Sequence, residues 1–161
     1  MKPQVAPLEE ILRLNGRLFL NTLEGVDEDT AQRRVTENVN NMTFIALHLL
    51  DARCYLARML GADVEHPYQE ALDAVKSIDE MPSFPELEGI RVTWREVSDV
   101  LIERFSELSD LELKERAPVE FPVGDGTVLG GIAFLLQHES FHIGQLAFLR
   151  KMSGHGSMNY W

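Results

Sequence analysis

A second cysteine, an excess of basic charge and a long apolar run are all missing from this 161-residue chain. With Cys54 alone, no intramolecular disulfide can form, and its place within a helical pattern reads as a small buried hydrophobe. Fifteen Lys and Arg against 26 Asp and Glu give a formal net charge of -11, which repels nucleic acid and anionic membrane surfaces. No apolar stretch is long enough to span a bilayer. The acidic opening PLEEILRLNG lacks the basic start and apolar centre of a signal peptide, so the expected compartment is the cytoplasm. The length suits one domain, residues 1–161, with a sizeable core.

What is present is helical periodicity. Leu8, Ile11, Leu12, Asn15, Leu18, Phe19 and Leu23 recur every three or four residues between charged positions, with Pro7 suited to a first turn. GVDEDT reads as a loop. A second pattern runs from about Val39 through Ile45, Leu49, Ala52 and Leu56 to a stop at Gly61. Pro67, Pro82 and Pro85 make residues 62–88 a long connection, with room for a short helix over 68–78. A third helix follows from Gly89 to Leu108 on Ile90, Trp94, Val97, Leu101 and Phe105. In residues 112–126 the turn GDG and the alternation of Val119, Phe121 and Val123 suggest a short hairpin or extended link. Thr127 can cap a fourth helix that stops at Gly154. The expected fold class is all-α, a four-helix bundle with the long connection between its second and third helices.

The last helix contains QHESFHIGQ, in which His138 and His142 stand four residues apart and leave one helical face together. Five histidines placed at random would give such a spacing in about one chain in eight, so the spacing alone says little. Placement on the inward face says more, because a buried imidazole needs partners for both nitrogens. His48, mid-way along the second helix, can supply a third nitrogen from a neighbouring helix. Three neutral imidazoles leave a divalent ion open positions for water or substrate, whereas satisfied core histidines would need no ion. His66, beside Pro67, and His155, in the glycine-rich tail, read as solvated surface residues. Asn41, Asp51 and Gln145 have helical offsets suited to orienting the three imidazoles. Glu139 points about 100° away from its neighbour His138, toward a neighbouring helix or solvent. Trp94 reads as core with an alternative role as a pocket wall, and Arg91 and Arg95 are the nearest cations for an anionic thiol.

The stretch TVLGGIAFLLQHESFHIGQLAFLRKMSG resembles the last helix of the DinB-like, or DinB/YfiT-like, four-helix-bundle metalloproteins. Its two histidines, Gly144-Gln145 and the basic end Arg150-Lys151 match that family's pattern, and NNMTFIALHLLDARCYLARMLG resembles the second helix, whose ligand falls on His48. At Asp51 relatives often carry glutamate. The resemblance implies an up-down-down-up bundle, often a homodimer, that binds one divalent ion, commonly zinc or nickel, between helices two and four. It also implies a metal-dependent enzyme of the thiol S-transferase, hydrolase or isomerase type, with a low-molecular-weight thiol as co-substrate and a small electrophile as substrate. The alternative is a non-catalytic dimeric bundle, tied to stress, with a structural or vestigial metal site.

Overall fold

A computed structural model describes residues 4–161. Four long helices carry the fold: α1 (Ala6–Leu23), α3 (Met42–Met59), α5 (Leu87–Glu107) and α7 (Val128–Met152). Three single-turn helices sit in the links: α2 (Glu28–Gln32), α4 (Gln69–Asp73) and α6 (Asp110–Lys114), with a 3-10 turn at Ile78–Glu80. Among the described residues there is no strand, only an isolated bridge between Arg116 and Thr127. The alternation at Val119, Phe121 and Val123 therefore forms an extended link and no hairpin. Val119 and Val123 stay exposed while Phe121 packs on the core.

The stops fall where the glycines do. Gly61 and Gly154 take φ of 83° and 86°, a backbone region costly for other residues, just beyond α3 and α7. The starts are set by polar caps. Thr127 accepts from the Gly130 amide at the head of α7, and Asp27 caps α2 within the GVDEDT segment expected to be loop. α3 starts at Met42, later than the apolar pattern suggests, because Asn41 accepts from the Phe44 amide at 2.8 Å. α5 starts at Leu87, two residues earlier than expected.

Side-chain pairs give the directions of the long helices. Asn15 reaches Leu136, and Arg150 reaches Thr22, so α1 and α7 run parallel. Arg53 meets Ser98, and Arg104 meets Leu60, so α3 and α5 are parallel as well. Trp94 bonds Gly16, and Arg91 bonds Leu23, so α5 opposes α1. Arg53 with Glu139 near their middles, and Met59 against Gly131, make α3 and α7 antiparallel. The bundle is therefore up-down-down-up, in the spatial order α1, α7, α3, α5. Leu12, Phe19, Leu49, Leu56, Ile90, Leu101, Ile132 and Leu146 meet at its centre. Each such buried side chain stabilises the fold by about 1.5–3 kcal/mol.

Close approach shapes the α7 end nearest the link. A Cβ on Gly130 would lie 2.1 Å from the Asp125 carbonyl, and one on Gly131 would lie 2.7 Å from the Phe121 ring. These two glycines let the 116–127 link lie directly on α7. Phe121 thereby stacks toward Phe134, with ring centres 5.4 Å apart, one helical turn before His138.

Candidate metal centre

His48 leaves α3, and His138 and His142 leave successive turns of α7, where the two antiparallel helices face each other. The Nε2 atoms of His48 and His142 each lie 3.1 Å from Nε2 of His138. One ring nitrogen from each of the three lies within 4.8 Å of the others. Metal–nitrogen bonds of about 2.1 Å would place neighbouring nitrogens about 3.4 Å apart around a tetrahedral ion and about 3.0 Å apart around an octahedral one. The observed spacing lies between these values.

The protonation pattern agrees with that geometry. His142 Nδ1 lies 2.6 Å from Gln145 Oε1, an acceptor, so Nδ1 carries the proton and Nε2 turns its lone pair to the centre. His138 Nδ1 is buried with no hydrogen-bond partner among the described residues, so the polar contacts of that ring are at Nε2. Burial, and then the nearby His142 and His48, hold the His138 pKa down to about 4. Burial and His142 also lower that of His48. Both rings are thus neutral near pH 7, and a neutral imidazole is the metal ligand. Without an ion, three converging nitrogens can share few protons, and some lone pairs must face one another. A divalent cation would satisfy all three.

The three rings are partly exposed in a groove, which differs from the inward placement expected from the sequence. Phe134 lies beside His138 at 6.1 Å between ring centres, and Phe141 beside His142 at 5.1 Å. A cleft of about 610 Å³ begins at Gln145 and Phe141 and extends along α7 to Phe148, with Val39 and Ile45 opposite. The three histidines do not line this cleft themselves; it reaches them through Gln145 and Phe141, which both lie against His142.

A model of the DinB superfamily matches residues 11–146, a span that holds all three histidines. The chain belongs to the DinB superfamily. No curated protein matches it significantly.

In this DinB protein only Gln145, of the three polar neighbours named from the sequence, touches a triad histidine. Asn41 is occupied at the head of α3, where its amide nitrogen also donates to the Gln32 carbonyl at 2.8 Å. Asp51 Oδ1 instead lies 3.6 Å from Nε2 of His66. That histidine is buried, contrary to the surface role inferred from its proline neighbour. Its Nδ1 accepts from the Tyr68 amide, and burial lowers its pKa against the opposing pull of Asp51. His155 remains partly exposed in the tail.

The inward position of α7 belongs to Glu139, which is 1% exposed and forms a two-pronged pair with Arg53, both contacts at 2.9 Å. Asn15 donates to Glu139 and to the Leu136 carbonyl, and Arg53 also reaches Ser98 and the Leu12 carbonyl. The Arg53 guanidinium lies 3.8 Å over Trp94, whose own nitrogen donates to Gly16. Trp94 is accordingly core, stacked on Phe19 at 3.9 Å, and does not wall the histidine site. No motif marks Arg53 in the sequence; its one signal there is a charged residue set amid Leu49, Leu50, Leu56 and Ala57. Arg91 and Arg95 pair with Glu88 beside α1, along the bundle edge opposite the α3–α7 groove.

Proposed function

We propose that His48, His138 and His142 hold one divalent ion, zinc or nickel, and that the protein is a metal-dependent enzyme acting on a small electrophile with a low-molecular-weight thiol. The observation that carries this reading is the convergence of three Nε2 atoms in a partly exposed groove beside a cleft. Three protein ligands with open positions are the usual arrangement of a catalytic site, whereas structural zinc sites are closed by four. When bound, a dication lowers the pKa of a coordinated thiol or water and so makes a nucleophile available near neutral pH.

The chain's own residues do the positioning. Gln145 fixes the tautomer and angle of His142. Phe134 and Phe141 flank the two α7 ligands and limit the approach of water from those sides. Arg53 and Glu139 lock α3 against α7 at mid-helix, one residue from His138, and so set the separation across which His48 must reach. Arg91 and Arg95 have no part in this reading.

The alternative of a structural ion is disfavoured because the buried core and its polar centre are complete without the triad. The test is a thiol-and-electrophile turnover assay on zinc- and nickel-loaded protein, with stripped protein and His142→Ala as controls. Turnover that needs the ion and falls at least a hundredfold in His142→Ala, with helicity retained, supports the enzyme. Equal rates for loaded protein, stripped protein and buffer would reject it.

A further inference from the structure

The cleft beside the triad has a chemistry of its own. None of its lining side chains is ionisable, in a chain of net charge -11. One wall is apolar, formed by Ile45, Phe141, Phe148 and Leu149. Phe141 and Phe148 are 57% and 62% exposed, so their rings stand in the open space rather than in the core. The polar lining consists of three carboxamides, Asn38, Asn40 and Gln145. At Gly144 an added Cβ would meet nothing within 4 Å, so the α7 side of the cleft is open between the two phenyl rings. Its volume of about 610 Å³ lies within the range of small-molecule sites, about 300–1,000 Å³.

Gln145 connects this cleft to the histidines. A ligand on Nε2 of His142 requires the proton on Nδ1, and that proton requires the oxygen of the Gln145 amide. The amide nitrogen then faces away from the ring, and among the described residues it makes no hydrogen bond. The residue that orients a metal ligand thus presents hydrogen-bond donors at the cleft wall. Among the cleft's own lining side chains a carboxylate or phosphate would find no cation to offset its desolvation, whereas a neutral oxygen acceptor would be satisfied.

We infer that the cleft binds an uncharged, largely apolar small molecule carrying one hydrogen-bond acceptor. Its apolar body lies on Phe141 and Phe148, and its acceptor meets the Gln145 amide. This selects among the small substrates open to the activity proposed above, on which its catalytic meaning rests, and it separates them from anionic metabolites. The same wall could instead be covered by a second copy of the chain, and the experiment distinguishes the two.

The probes are 2-acetylnaphthalene, naphthalene and 2-naphthoate, titrated into ¹⁵N-labelled protein and followed by amide shifts. Zinc content is determined separately by elemental analysis, and self-association by sedimentation. The ketone should shift amides in residues 38–45 and 141–149. Naphthalene and naphthoate should each bind at least tenfold more weakly. Gly144→Phe, which fills the cleft at a position with room for a side chain, should lose at least tenfold in ketone affinity while keeping its zinc. Phe148→Ser should weaken the ketone similarly and provides the same test if the first variant does not fold.

Equal binding of ketone and naphthoate, shifts elsewhere in the bundle, or both variants binding as wild type would overturn the assignment. So would self-association that broadens the 141–149 amides and leaves them unmoved by the ketone. Wild-type protein that binds the ketone but no zinc would defeat the metal reading and leave the cleft assignment standing.

Discussion

Gln145 and Cys54 show how differently two polar atoms fare on neighbouring helices. Gln145 holds the Nδ1 proton of His142, and partners of that kind are worth about 10–100-fold in metal affinity. Gln145→Ala should therefore release zinc to a competing chelator at a concentration 10–100-fold lower than wild type does, with an unchanged melt. Unaltered affinity would show that the contact orients nothing. Cys54 is buried, and burial raises its thiol to about 11, with Arg58 pulling the other way and Asp51 adding to the rise. At pH 8 only about a thousandth would be thiolate, the reactive form. Ellman's reagent should find less than a tenth of an equivalent in the native protein over an hour and one equivalent after denaturation. Rapid native labelling would contradict this burial. Cys54 was legible in the sequence as a hydrophobe, and so was the His142–Gln145 offset. The burial of His66 was hidden, because it depends on how the 62–86 segment folds back over Asp51, and no local pattern encodes that.

At the scale of elements, the charged pair across α3 and α7 sets the energetics. Removing one partner of a buried ion pair leaves the other charge unpaired and costs about 3–5 kcal/mol. Glu139→Ala should lower the free energy of unfolding in urea by that amount, while the joint change Arg53→Met with Glu139→Leu should recover most of it. Loss below 1 kcal/mol in the single variant would mean that water reaches the site. Farther along, Ser109 and Glu112 form a reciprocal cap on α6, and Arg104 joins Glu112 to the carboxyl end of α3. Hydrogen bonds from Ser109, then from Arg104, lower the Glu112 pKa from 4.5 to about 2. A depressed carboxylate contributes stability above its unfolded pKa and loses it as the pH falls through the folded one. The stability gap between wild type and Glu112→Gln should therefore be constant above about pH 5 and close as the pH falls from 4.5 toward 2. A gap independent of pH would assign the effect to packing.

The long helices were readable because their apolar residues keep helical period over many turns, with Gly61 and Gly154 as stops. Of the single-turn helices, α4 falls within the 68–78 stretch where a short helix was expected, whereas α2 and α6 were not readable, since they owe their existence to caps at Asp27 and Ser109 and to docking on the bundle. Asn41 shows the limit of offset arguments. Its spacing from His48 suited a contact along the helix face, but the residue stands at the helix start, where capping claims its oxygen. Likewise the alternation at 119–123 could not become a strand with no partner strand to complete its hydrogen bonds.

For the whole molecule, the up-down-down-up order brings α3 and α7 together antiparallel and so unites His48 with the His138–His142 pair from a distant part of the chain. The core lies beside this groove and does not depend on it, and no helix among the described residues is long and apolar enough to cross a membrane. Stripped protein should keep its helical circular dichroism and a cooperative melt, gaining stability only as free metal is added. Collapse of helicity on stripping would assign the ion a structural role. The central claim is that His48 and the α7 pair hold one ion together. Its most direct test is elemental analysis of untagged protein reloaded with Zn²⁺ or Ni²⁺, beside His48→Ala and His142→Ala. The account predicts close to one ion per chain in wild type and under a tenth in each variant. Wild-type protein that retains no ion, or variants that retain it in full, would contradict it.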